Sequence, residues 1–235
     1  MRRFAGFLAG VVLLPFCAAM VMTFFSMLRM LHHGPLTSIP LAVWGLLGGF
    51  SLWVLVYALL PRPVWSYVLA HELTHALWGM LMGARVKRMK VSEAGGSVTL
   101  SKTNFLITLA PYIFPFYAIL VALLYLVLGW FYPAVKTYEW LWFSAIGFTW
   151  GFHLTFTAST LMGEQSDIRM YGAFISYVFI LLMNTLGLCL LVAAVSPLRL
   201  FDLADLLIAH TATAYRLAGH WVVVFFRWIY DAFAK

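Results

Sequence analysis

Apolar positions along this chain come in long unbroken stretches rather than in the narrow periodic stripes of a water-soluble protein. Six stretches have roughly the 20 mostly apolar residues that an α-helix needs to cross a bilayer. They cover about 4–29, 40–60, 64–82, 104–130, 139–162 and 170–195. Short polar or proline-containing connections separate them, at Gly34-Pro35, Pro61-Arg62-Pro63, Tyr132-Pro133 and Gly163 to Arg169. None of these has room for a soluble domain. The first stretch follows Met1-Arg2-Arg3 and runs from Phe4 to about Leu28, too long for the apolar region of a signal peptide, so it predicts a retained helix.

Two regions depart from this pattern. Across 85–100, Val86, Met89 and Val91, then Val98 and Leu100, alternate with polar residues on either side of Ala94-Gly95-Gly96. Alternation about a Gly-Gly centre predicts a β-hairpin turning at the glycines. Its open edges cannot lie bare in lipid, so it belongs at the interface or plugs the helical bundle. In the tail, Asp202, Asp205, Thr213, Arg216, His220, Arg227 and Asp231 follow the helical period as one polar stripe. That predicts an amphipathic helix lying in the interface in preference to a seventh span. Pro111 and Pro115 should distort the fourth span, turning it toward protein or a wet cavity where freed carbonyls find partners.

The pattern therefore predicts an all-α polytopic membrane protein with about six transmembrane helices, an interfacial β-hairpin and a C-terminal amphipathic helix. Two N-terminal spans occupy 1–63, a membrane core 64–195, and the amphipathic helix 196–235. Composition narrows this further. Of 235 residues, 64% are hydrophobic and 10% are charged, where a soluble domain carries about 25% charged residues. A soluble enzyme, a disordered region and a disulfide scaffold are excluded, leaving an integral multi-pass protein of a plasma or inner membrane.

The net charge of +7 comes from short basic clusters at the ends of apolar segments. Those suit anionic headgroups and no nucleic acid. Six spans put Arg2, Arg3, Arg62, Lys136 and Arg199 on one side, and Arg29, Arg85, Lys87, Arg88, Lys90, Lys102 and Arg169 on the other. The denser hairpin cluster favours a cytoplasmic hairpin with the N-terminus outside, whereas Arg2-Arg3 favour the opposite orientation. Cys17 and Cys189 lie in apolar stretches and read as small hydrophobes. His32, His33, His210 and His220 read as interfacial, and Asn184 as an interhelical hydrogen-bonding group.

The chemistry sits in the third span, where Pro63 suits a helix start and Gly83 a helix end. His71 and His75, four residues apart, stack two imidazoles on one face at a spacing that chelates one Zn²⁺. Glu72, one step round, reaches a water at the metal as general base. Three ionisable groups within five residues of an apolar span cost at least ~2.5–3.5 kcal/mol each if unpaired, which a bound divalent metal relieves. A catalytic zinc needs a third protein ligand and an open position. His153 lies at the same depth as the motif, roughly 14 Å from one membrane face at the helical rise. Asp167 could instead cap the sixth helix, and Glu164 is a further candidate.

The run His71-Glu72-Leu73-Thr74-His75-Ala76, continuing through Gly83-Ala84-Arg85-Val86 into a hairpin and a proline-containing helix, resembles the site-2 protease family of intramembrane zinc metalloproteases. The resemblance covers roughly 64–195. It implies an aspartate third ligand before a later helix, and Asp167 in Gln165-Ser166-Asp167-Ile168-Arg169 is the counterpart. Thr74 stands where the family usually has glycine, and Ile168 where its Asp-Gly motif has glycine. The expected activity is zinc-dependent hydrolysis of peptide bonds in transmembrane or membrane-associated proteins, with Glu72 as base and the hairpin edge holding an extended substrate. Two other readings fit the same residues: a metal-dependent hydrolase of a lipid or small amide, and a non-catalytic zinc-binding membrane partner, which would have no need of Glu72.

Overall fold

The computed structural model describes residues 2–32 and 39–233. His33 and the Gly34-Pro35 connection lie outside the described residues, as do the side chains of Arg2, Arg3 and His32. The chain is mostly helical with one small antiparallel sheet. It divides into two compact units, Met1–Leu36 with Gly172–Lys235, and Thr37–Tyr171.

In the first unit α1 (Arg2–His32) packs along α8 (Ala173–Val195) and α9 (Leu200–Phe233). Cys17, Met20 and Met27 bury against Val178, Leu182, Cys189, Val192 and Leu203. Both cysteines are free and serve as small core residues. Polar groups of α9 reach α1: Ser26 Oγ and His210 Nε2 lie 3.0 Å apart, and Tyr215 donates to the Val12 carbonyl at 2.8 Å. His210 thus makes a helix–helix contact. Asn184 donates at 2.8 Å to the Ile180 carbonyl of its own helix. The end of α9 exposes Trp221, Phe225, Phe226, Trp228 and Phe233.

The second unit holds α2 (Leu41–Leu59), α3 (Val64–Leu81), β1 (Val86–Ser92), β2 (Gly95–Leu100), α4 (Phe105–Ile113), α5 (Phe116–Phe131), α6 (Glu139–Leu161) and the short α7 (Ser166–Tyr171). Helices α2 and α6 meet backbone to backbone through Gly45 and Gly49 on one and Gly147 on the other. A Cβ at any of the three would collide with a main-chain carbonyl of Trp140, Ser144 or Leu46. Gly45/Gly49 and Gly147/Gly151 are small residues at four-residue spacing, the arrangement that lets membrane helices approach closely. Beside them Trp53, Phe152 and Phe156 form an aromatic core, with Trp53 Nε1 donating to Thr155 Oγ1 at 2.8 Å.

Among the described residues, three helices are long and apolar enough to cross a membrane: Phe4–Leu31, Leu41–Leu59 and Ala173–Val195. Of the other expected spans, α3 and α6 fall short, and the fourth passes only as a bent pair. Helix α3 carries the polar side chains of the site, and α6 carries Ser144, Thr149, Thr155, Thr157 and Thr160, several of which bond back to their own helix carbonyls. The fourth stretch breaks into α4 and α5, bent by 74°. Pro111 stays within α4, while Pro115 lacks the amide that would continue the helix.

The hairpin pairs Ser92 with Gly95, Val91 with Gly96 and Met89 with Val98, with an irregularity between Val86 and Arg88. Its turn is Glu93-Ala94, two residues earlier than the glycine-centred turn expected from sequence. Gly95, at φ +131°, leaves the turn, and Gly96 has a different task at the site.

Candidate metal centre

Helix α3 is bounded much as its punctuation predicts. Pro63 sits at the N-cap rather than inside the first turn, and Gly83 takes φ +75° just past the end. The Ala84 amide closes back on the Gly79 carbonyl at 2.8 Å. The four-residue spacing brings His71 and His75 edge to face, ring centroids 4.9 Å apart. Helix α7 delivers Asp167 to the same point. Its Oδ2 lies 3.6 Å from His71 Nε2 and 3.3 Å from His75 Nε2. The three ligand atoms all lie within 4.8 Å of one another. Ligands about 2.1 Å from a tetrahedral ion stand roughly 3.4 Å apart, so the two carboxylate distances suit one divalent ion.

Each ligand has an outer partner. His75 Nδ1 lies 2.8 Å from the Ile107 carbonyl, which can only accept, so Nδ1 carries the proton and Nε2 presents a lone pair to the centre. His71 Nδ1 lies 3.3 Å from Tyr67 Oη, whose ring stacks on Phe156. Tyr112, wholly buried in the broken fourth stretch, donates to Asp167 Oδ2 at 3.4 Å and packs edge-on to the His71 ring. Burial opposes ionisation of Asp167, but with protons on the two Nε2 atoms their hydrogen bonds outweigh it and hold the carboxyl well below the usual carboxylate range. When those protons leave, the Nε2 lone pairs and the carboxylate oxygen form a group that could hold one metal ion.

No family model, curated protein or solved structure matches this chain. The site has to be read on its own geometry.

Glu72 is 7% exposed and rests on strand β2. A Cβ at Gly96 would lie 2.7 Å from Glu72 Cγ and 2.8 Å from its Oε1. Gly96 is glycine because the carboxylate occupies the space a side chain would take. Further along, Leu100 covers Gly79 in the same way, so β2 lies flat along α3. Two cavities flank the Glu72–Gly96 contact. One, of about 650 Å³, runs beside β2 from Gly96 to Lys102 and includes His75 and Asp167. The other, of about 340 Å³, is lined by Val64, Tyr67, Val68, Gly95 and Thr160. His71, Glu72, Gly96 and Gln165 line both.

The other candidates for third ligand lie apart. His153 is buried in α6 and lines a separate cavity of about 20 Å³ behind His71, and it is not in the cluster of ligand atoms. Glu164 is exposed and accepts from Arg169. Tyr67, Tyr112, Gly96 and Thr160 escaped the sequence reading. Only Tyr67 carried a legible signal, one helical turn before His71 and on the same face.

Proposed function

We propose that this chain is a multi-pass intramembrane zinc metalloprotease that cuts peptide bonds of membrane-embedded or membrane-adjacent proteins. The observation that carries the reading is the convergence of His71 Nε2, His75 Nε2 and Asp167 Oδ2 beside a carboxylate, Glu72, that is not part of the cluster. A metal held only for structure has no use for a buried base next to an open cavity. Zinc at this point would act as a Lewis acid on the scissile carbonyl and make water easier to deprotonate. His71, His75 and Asp167 hold it, and the Ile107 carbonyl and Tyr112 hydroxyl orient two of those ligands. Glu72 takes a proton from the attacking water and returns it to the leaving amine. The buried contact with Gly96 aims the carboxylate for both transfers.

The cavity supports a peptide in preference to a lipid. Its wall is a β-strand from Gly96 to Leu100, continued by Ser101, Lys102 and Thr103, and such a wall suits an extended chain rather than an acyl tail. A helical substrate must unwind first, because its carbonyls are already bonded. The reading is tested by comparing membrane proteomes of cells carrying the wild type and Glu72→Gln. Membrane segments should accumulate uncut with the variant, while the purified variant keeps its zinc. Unchanged peptides alongside a changed lipid profile would move the activity to the lipid or small-amide class.

A further inference from the structure

The two cavities that flank the Glu72–Gly96 contact differ in charge. The smaller is walled by Val64, Tyr67 and Val68, and beyond the metal centre and its base its one charged side chain is Glu93, in the hairpin turn. The larger is lined by Ser97, Thr99, Ser101 and Thr103, and its one charge beyond the same groups is Lys102, past the end of β2. Both side chains are exposed, and among the described residues neither takes part in an ion pair. Arg85, Lys87, Arg88 and Lys90, the other cations of the hairpin, line neither cavity. Strand β2 therefore passes the base with an unmatched anion at one end and an unmatched cation at the other. Glu93 stands three positions before Gly96 and Lys102 six after it, at most about 10 Å and about 20 Å of extended chain.

We propose that Glu93 and Lys102 determine specificity by orienting the peptide: they select a substrate with a basic side chain about three positions from the cut on one side and an acidic side chain about six positions away on the other. The proposal rests on the reading above, in which β2 holds the substrate as an extended strand. A strand paired to β2 advances at the same rise, so its residues keep step with Glu93 and Lys102. On the Glu93 side a lysine or arginine lays its apolar stem along Val64 and Val68 and brings its charge to the carboxylate. On the Lys102 side an aspartate or glutamate meets the ammonium between Ser101 and Thr103, whose hydroxyls are further donors. The reversed peptide sets like charges together at both ends, and such repulsion is what fixes register and orientation.

The test uses the zinc-loaded full chain in detergent and the membrane segment that accumulates uncut with Glu72→Gln, its cut bond mapped by mass spectrometry. The segment is made in two forms: lysine about three positions before the cut with glutamate about six after it, and glutamate about six before with lysine about three after. One form should be cut with the lower KM at similar kcat, since both charges lie away from the reacting atoms. Two exposed ion pairs at roughly 1.5- to 5-fold each give a preference of about 2- to 25-fold, which shrinks as salt is added. In Glu93→Lys combined with Lys102→Glu the preferred form should switch, with zinc content unchanged. Lys90→Glu, which alters the charge of the hairpin outside both cavities, should keep the wild-type preference. Equal cutting of the two forms by the wild type overturns the proposal, as does a preference that survives the double swap or one that Lys90→Glu reverses. Each of those results leaves the protease reading standing as long as Glu72→Gln cuts neither form. A chain that cuts no segment at all defeats that reading, and the proposal with it.

Discussion

Replacing Gly96 by alanine should slow turnover about 100-fold while leaving zinc in place. Gly96 does not have a positive φ, so alanine meets no backbone strain there. The whole effect is steric. The new methyl would lie 2.7 Å from Glu72 Cγ, 2.8 Å from Glu72 Oε1 and 2.7 Å from Val68 Cγ1. Carbon atoms settle at about 3.5–4.0 Å, so each neighbour must yield by roughly 1 Å. Val68 and Glu72 are equally buried and line the same cavity, so both side chains shift and the Glu72 carboxylate is displaced. Misplacing a catalytic group by about 1 Å costs on the order of 100-fold, or ~2.7 kcal/mol of barrier. Gly95→Ala is the matched control: its φ of +131° strains the backbone, yet no atom lies within 4 Å. It should lower stability by roughly 1–3 kcal/mol and leave turnover per folded molecule unchanged. The assay is cleavage of a membrane segment that accumulates uncut with Glu72→Gln, run beside metal analysis. Wild-type turnover in a folded, zinc-loaded Gly96→Ala would refute the claim that Gly96 seats the base.

Gly49→Leu should destabilise the second unit by more than the 1–3 kcal/mol of ordinary overpacking, because the added side chain meets the Ser144 main chain and not a movable rotamer. Gly48→Leu, where a Cβ meets nothing within 4 Å, should be neutral in the same thermal-melt comparison. Zinc affinity should fall as pH drops through the imidazole range, with at most two protons, one per histidine, taken up per metal released. Asp167, held well below the usual carboxylate range by the histidines, stays ionised and adds no third proton. A calorimetric count of three would contradict that.

Much of the fold was legible because apolar length and proline are local signals. The six apolar stretches became helices close to their expected ends, and Pro115 broke the fourth as its missing amide required. The hairpin was legible from alternation, but its turn was not. A Gly-Gly pair looks the same whether it bends the chain or clears room for a neighbour, and Gly96 is glycine for a carboxylate 24 positions earlier. Counting residues along helices ranked His153 level with the zinc motif, because height along a span is computable from sequence. The dip of the chain through α7, which carries Asp167 to the histidines, is not. Tyr112 and Thr160 act across helices, through contacts that no spacing in one segment reveals. The small-residue spacing at Gly45/Gly49 and Gly147/Gly151 was readable and marks which two helices meet.

Whether His71, His75 and Asp167 hold one zinc is decided by the metal content of the purified full chain, measured for the wild type, Asp167→Ala and His153→Ala. One zinc per wild-type chain is expected, with loss of most of it in Asp167→Ala and near-full retention in His153→Ala. Full occupancy in Asp167→Ala with loss in His153→Ala would contradict the assignment of the third ligand, and a wild-type chain without stoichiometric metal would contradict the centre altogether.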